Sequence, residues 1–217
     1  MIKHPNIDPN ITNIEGDSPL LMACRNPDSC GTHFVRKVQK NDPGAEAKLE
    51  VFIREQNRQT HDEMLKVLVS HPKLNMNQKS LRGWSSLHYI ARYGHYNLAH
   101  ILFGRKELDI NITDTNLRTP LHISAESGRF EMCGYLLLAR EIDPNQKDIN
   151  DQTPLHRAVF SGNSEIVHFF AGKEQINLNA KDKWGRTPLM IAAIKGRIGA
   201  IRSLARKVDI NLTDNVN

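Results

Sequence analysis

Three histidines, His88, His122 and His156, recur at intervals of 34 residues, each closing the same short pattern. The stretches are Ser85-Ser86-Leu87-His88, Thr119-Pro120-Leu121-His122 and Thr153-Pro154-Leu155-His156. An imidazole titrates near neutrality and can serve as acid, base or metal ligand. The pattern around these three points elsewhere. Ser or Thr followed by Pro starts a helix, because Pro there lacks only an N–H that would be orphaned anyway. His at the third helical position reaches back to the cap, much as Glu does in a capping box. A full period between histidines places them on successive units, each beside its own cap. Their predicted role is structural.

The remaining reactive residues assemble no site. Cys24, Cys30 and Cys133 are too few and too scattered for a disulfide framework or a zinc site. Cys133 reads as a small core filler on a helix. The chain has no Gly-rich phosphate loop, no His-Glu-x-x-His, no Cys-x-x-Cys and no nucleophile elbow. No catalytic residue, cofactor or metal ligand is predicted, and the chain is read as a non-enzyme.

The elements behind the pattern follow from the repeat. Leu87, Leu121, Leu155 and Leu189 lie 34 residues apart, and Leu20 precedes Leu87 by 67, one period plus 33. Gly94, Gly128, Gly162 and Gly196 each follow their leucine by seven residues, where a left-handed residue would end a short helix. A second helix is predicted from apolar pairs four residues apart: Leu98/Leu102, Met132/Leu136, Ile166/Phe170 and Ala200/Leu204. Met64/Leu68 is the expected pair of the first repeat. Asn10, Asn77, Asn111, Asn145, Asn179 and Asn211 mark polar turns between units.

Composition is consistent with such an array. Of 217 residues 39% are hydrophobic, low for one central core but reasonable where each unit buries a stripe against its neighbours. A net charge of +5 allows acidic partners without demanding nucleic acid, since no Lys/Arg run exceeds a pair. The start has no apolar leader region, and no stretch approaches the length of a membrane span. The expectation is a monomer in a reducing, aqueous, cytoplasmic setting, binding neither nucleic acid nor membrane.

Thr-Pro-Leu-His, the glycine at the helix end, and Glu165-Ile166-Val167 together resemble the ankyrin repeat. The resemblance implies an all-α ankyrin-repeat solenoid of helix-turn-helix units with hairpin loops, forming one domain over 1–217. Five repeats are expected, at about 13–79, 80–113, 114–147, 148–181 and 182–213. The first carries a 33-residue insertion at 27–59, and unbroken apolar spacing after Asp42-Pro43 predicts one extended helix over about 43–70. The insertion is open to two readings, a cap on the amino-terminal end or a partner-binding arm.

The resemblance also implies function. Ankyrin-like arrays bind other proteins through hairpin tips and the exposed side of the first helices, which form a concave face. By position this selects Arg82, Trp84, Arg92 and Tyr93 in repeat two, Arg118 in repeat three, Phe160 in repeat four, and Lys183, Trp184 and Arg186 in repeat five. Aromatic and Arg side chains dominate binding hot spots. Across the wider set, including Ile149, Gln152, Ile194 and Lys195, six basic residues stand against Glu126 alone. The predicted function is a scaffold for a partner protein or acidic peptide. The alternative is a targeting or substrate-recognition module of a larger enzyme, or of a secreted bacterial effector acting in host cytosol.

Overall fold

The computed structural model describes residues 8–25 and 61–215. The described residues are all-α, in ten short helices. These are α1 (Pro19–Arg25), α2 (His61–Val69), α3 (Ser86–Tyr93), α4 (Tyr96–Phe103) and α5 (Pro120–Glu126). The rest are α6 (Phe130–Leu137), α7 (Pro154–Ser161), α8 (Ser164–Ala171), α9 (Pro188–Ile194) and α10 (Ile198–Leu204). None of them is long and apolar enough to cross a membrane. The insertion at 27–59 and the start of the helix expected from about 43 lie outside the described residues. Within them, only His61–Val69 of that helix is seen, as α2.

By its contacts the chain divides into two compact units: residues through Ile90 with Asn97–Asp109, and Ala91–Tyr96 with Ile110–Asn217. In the first, α1 packs on α2, and Leu20, Leu21, Leu65, Leu87, Ile90 and Leu102 are all 1% exposed or less. The expected pair Met64/Leu68 needs correction: Leu65 and Val69 are the buried residues, and Leu68 is half-buried. The reason is loop length. Val69 precedes Leu74 by five residues, whereas Leu102 precedes Leu108, and Phe170 precedes Ile176, by six. The later repeats carry one more residue between second helix and turn, so the first repeat's helix is displaced by one position.

In the second unit the first helices stack in order, α5 on α7 on α9, and each also packs on its own second helix, α6, α8 or α10. The pairs Met132/Leu136, Ile166/Phe170 and Ala200/Leu204 are buried between them, as their four-residue spacing predicts. Burying such side chains contributes roughly 1.5–3 kcal/mol each. Gly162 shows why the closing residue is glycine. Its φ is +82°, and an added Cβ would come 2.9 Å from the guanidinium carbon of Arg197. Gly94, Gly128 and Gly196 are left-handed too.

Candidate partner-binding surface

The histidines are built into the scaffold. His122 Nδ1 accepts the Thr119 backbone N–H at 3.1 Å and lies 2.8 Å from the Thr119 hydroxyl. Its Nε2 faces the Gln152 carbonyl at 2.9 Å. A carbonyl only accepts and an N–H only donates, so the neutral tautomer with hydrogen on Nε2 is required. His156 repeats this with Thr153 and the Arg186 carbonyl. Each ring thus caps its own helix and pins the next hairpin. Burial lowers both pKa values to about 4. With both nitrogens committed, neither ring can ligate a metal or relay a proton. His88 caps through Ser85 in the same way. In the last repeat Met190 offers only its sulfur to the Thr187 N–H, at 3.4 Å. Cys133 is equally inert: burial pushes its thiol up to about 12, and it donates to Ser124 Oγ.

The turn asparagines form a second ladder that sequence reading missed. Asn111 Nδ2 donates to the Glu141 carbonyl at 2.6 Å, while its Oδ1 accepts the Asp143 N–H at 2.9 Å. Asn145 does the same with Gln175 and Asn177, and Asn77 with Glu107 and Asp109. Each carboxamide reads the backbone of the following repeat. The 34-residue recurrence of Asn was the signal; its partners were invisible without the fold.

Each hairpin of the second unit is folded around a buried aspartate. Asp114 Oδ1 accepts the N–H groups of Asn116 and Arg118, and its Oδ2 takes the Arg118 guanidinium at 2.8 Å. Asp182 holds the N–H groups of Trp184 and Arg186 and the Arg186 guanidinium at 2.9 Å. Burial pushes these carboxyls up, but the arginine and N–H donors prevail and hold both below the ordinary 3.8. Asp148 is served by Asn150, Gln152 and Arg157. Arg118 and Arg186, expected on the binding surface, are therefore clamps of their own loops. Glu126 is paired too, with Arg118 at 3.2 Å. Gln152, from the same wider set, is buried at 6% exposure.

The aromatics divide. Trp184 is 43% exposed, with the Arg186 guanidinium 4.4 Å over its ring. Phe160 is 44% exposed beneath the Lys195 ammonium at 4.6 Å. Tyr93 is exposed and stacks on His95 at 5.8 Å, and Arg92 donates to Ser127 Oγ at 3.3 Å. Lys183 is exposed at the tip beside Trp184. All these residues belong to the second unit, which brings Trp184 to Arg186 and Phe160 to Lys195. Arg82 and Trp84 belong to the first unit. Arg82 is exposed, but Trp84 is half-buried, 5.2 Å from the Tyr89 ring and 6.1 Å from His88. Trp84, expected on the binding surface, covers its own hairpin and helix. One tip residue escaped notice. Leu117 is 50% exposed with a φ of +58°.

Comparison with protein families matches this geometry. A family described as ankyrin repeats (3 copies) matches residues 55–148 and 140–214, well over half of the sequence. The chain belongs to the ankyrin-repeat family. Ankyrin repeats are in general protein–protein interaction modules, and typically non-catalytic ones. No curated protein matches the chain.

Proposed function

We propose that the chain is a protein-interaction scaffold whose second unit takes an acidic peptide segment of a partner across its hairpin tips and first-helix ends. The supporting observation is Trp184. Large apolar rings are kept in water only at a cost, and this one is exposed yet braced on one face. Its own backbone N–H is fixed by Asp182, and Arg186, clamped by the same carboxylate, lies on its face. An aromatic braced on one face loses less entropy on binding than a free one, which is what a hot-spot residue needs. Exposed Lys183 and Lys195, beside Trp184 and over Phe160, supply charge not neutralised by a buried carboxylate. They favour carboxylate-bearing partners and raise association rates more than final affinity. Arg118 and Arg186 contribute by shaping the surface, since their charge is already matched.

The test is affinity capture from a cell extract with the wild-type chain and with Trp184→Ala, quantified by mass spectrometry. Proteins with acidic segments should be retained by the first and lost by the second, in a salt-dependent way. Identical captured sets would sink the assignment of Trp184 as anchor.

A further inference from the structure

The hairpin loops can be compared position by position, because each holds the same turn between its first residue and the helix cap. The fourth loop residue is left-handed in all five: Gly16, Gly83, Leu117, Asp151 and Gly185, with φ between 57° and 76°. Glycine takes this conformation without steric cost, and Asp tolerates it through its short polar side chain. For leucine it is a true outlier, since Cβ crowds the following carbonyl and its apolar side chain can make no compensating hydrogen bond. Strain of this kind is held by the surrounding structure, and it clusters at functional sites.

The fold of the tip does not depend on hydrogen bonds from the Leu117 side chain, and half of that side chain is left in solvent. It is 50% exposed at a tip already closed by Asp114, whose carboxylate takes the Asn116 and Arg118 N–H groups. The next tip adds Ile149, 55% exposed, whose backbone N–H donates to the Asn116 carbonyl at 2.9 Å. That bond seats Ile149 alongside the strained loop. The tip after that is tied in the same manner, Lys183 N–H to the Asn150 carbonyl at 2.9 Å, and it carries Trp184. Consecutive tips therefore display Leu117, Ile149 and Trp184, two aliphatic side chains and one indole. The charges beside them lean positive: Lys181 and Lys183 are exposed, and Asp151 is matched by Lys147 at 3.8 Å.

We infer that Leu117 is a specificity-determining contact: with Ile149 it receives an apolar side chain of the acidic partner segment that Trp184 anchors. The inference rests on the proposed protein-binding reading and narrows it to segments that interleave carboxylates with aliphatic or aromatic residues. The left-handed loop fixes the direction of the Leu117 Cα–Cβ bond before binding, which lowers the backbone ordering cost of that contact.

The test begins with selection of a phage-displayed random dodecapeptide library on the intact chain. The selected peptide is then titrated against wild type, Leu117→Gly, Asp151→Gly and Trp184→Ala. Enrichment of peptides with Asp/Glu among Leu, Ile or Phe is expected. Leu117→Gly should raise the thermal midpoint by about 2–4 °C through released strain, yet weaken the peptide about tenfold. Asp151→Gly relieves a similar conformation without removing an apolar contact, so its affinity should stay within about twofold of wild type. Opposite signs for stability and affinity at Leu117 alone support the inference. Unchanged affinity in Leu117→Gly, with weakened binding in Trp184→Ala, overturns the role of Leu117 and leaves the broader reading standing. Unchanged affinity in both variants, enrichment of basic peptides, or no enrichment at all overturns both.

Discussion

The two tryptophans of the chain sit in hairpins of the same design and are used in opposite ways. Trp84 stands directly before the Ser85 cap and lies against Tyr89 and His88. In the Trp184 hairpin that position is filled by Arg186, which turns onto Asp182, and the indole stands two residues earlier, at the exposed tip. A shift of two loop positions converts a lid over the helix into an exposed platform. Proximity to the cap therefore does not decide which side chain is exposed. What matters is which of the five loop positions points back onto the first helix.

Acid should have the largest effect, through the caps that follow the hairpins. His122 and His156 are held neutral with pKa values of about 4, below the ordinary 6.5. The unfolded chain therefore binds more protons between those values, and stability falls as pH drops through that window. The loss should approach about 3 kcal/mol per histidine near pH 4. Asp114 and Asp182, held below 3.8, add their losses only at lower pH. Urea melts across pH 7 to 4 measure the slope, and His122→Gln with His156→Gln should flatten it. The hairpin of Trp184 is followed by Met190, which does not titrate, so acid reaches that hairpin through the His156 contact to the Arg186 carbonyl and not through its own cap. A slope that survives the double substitution would contradict the assignment.

Asp182→Ala comes next. Removing the carboxylate strands the Trp184 and Arg186 N–H groups and frees the guanidinium, at a cost of about 2–3 kcal/mol. It should also loosen Trp184, visible as a broadened indole resonance. Trp84→Ala should cost about 2 kcal/mol, because a half-buried ring leaves a partial cavity over Tyr89. Trp184→Ala should move stability by no more than about 0.5 kcal/mol. Equal losses for the two tryptophans would erase the distinction drawn between the hairpins. Acrylamide quenching gives the finest check: the single tryptophan left in Trp84→Phe should be quenched more readily than the one left in Trp184→Phe.

Much of this architecture was legible in the residues. Ser/Thr-Pro-Leu-His announced helix starts because capping is local chemistry within four residues. Gly162 and its counterparts announced helix ends because a positive φ excludes most side chains. The apolar pairs of α6, α8 and α10 followed from helical geometry alone. The pair in α2 was misplaced by one residue because a single-residue change in turn length leaves no local mark. The candidate binding surface was less legible. Position in the repeat selected Trp184 and Phe160 correctly as exposed, but it also selected Arg118 and Arg186. Their partners, Asp114 and Asp182, stand four residues away in sequence, and only the folded loop buries those carboxylates. Leu117 escaped because a leucine in a turn carries no signal until its φ is known.

By itself the sequence determined the unit: where helices begin and end, which face of each is apolar, and that His88, His122 and His156 serve caps. These depend on contacts within one repeat, which chain geometry dictates. The tertiary structure alone decided what passes between repeats and what remains outside. It set the carbonyls that receive the histidine Nε2–H and asparagine Nδ2 groups, the burial of Asp114 and Asp182, and the separate fates of Trp84 and Trp184. The histidine and asparagine partners lie about 30 positions away and meet only in space, while the burial of the aspartates and of Trp84 becomes definite only once the loop is folded onto its helix.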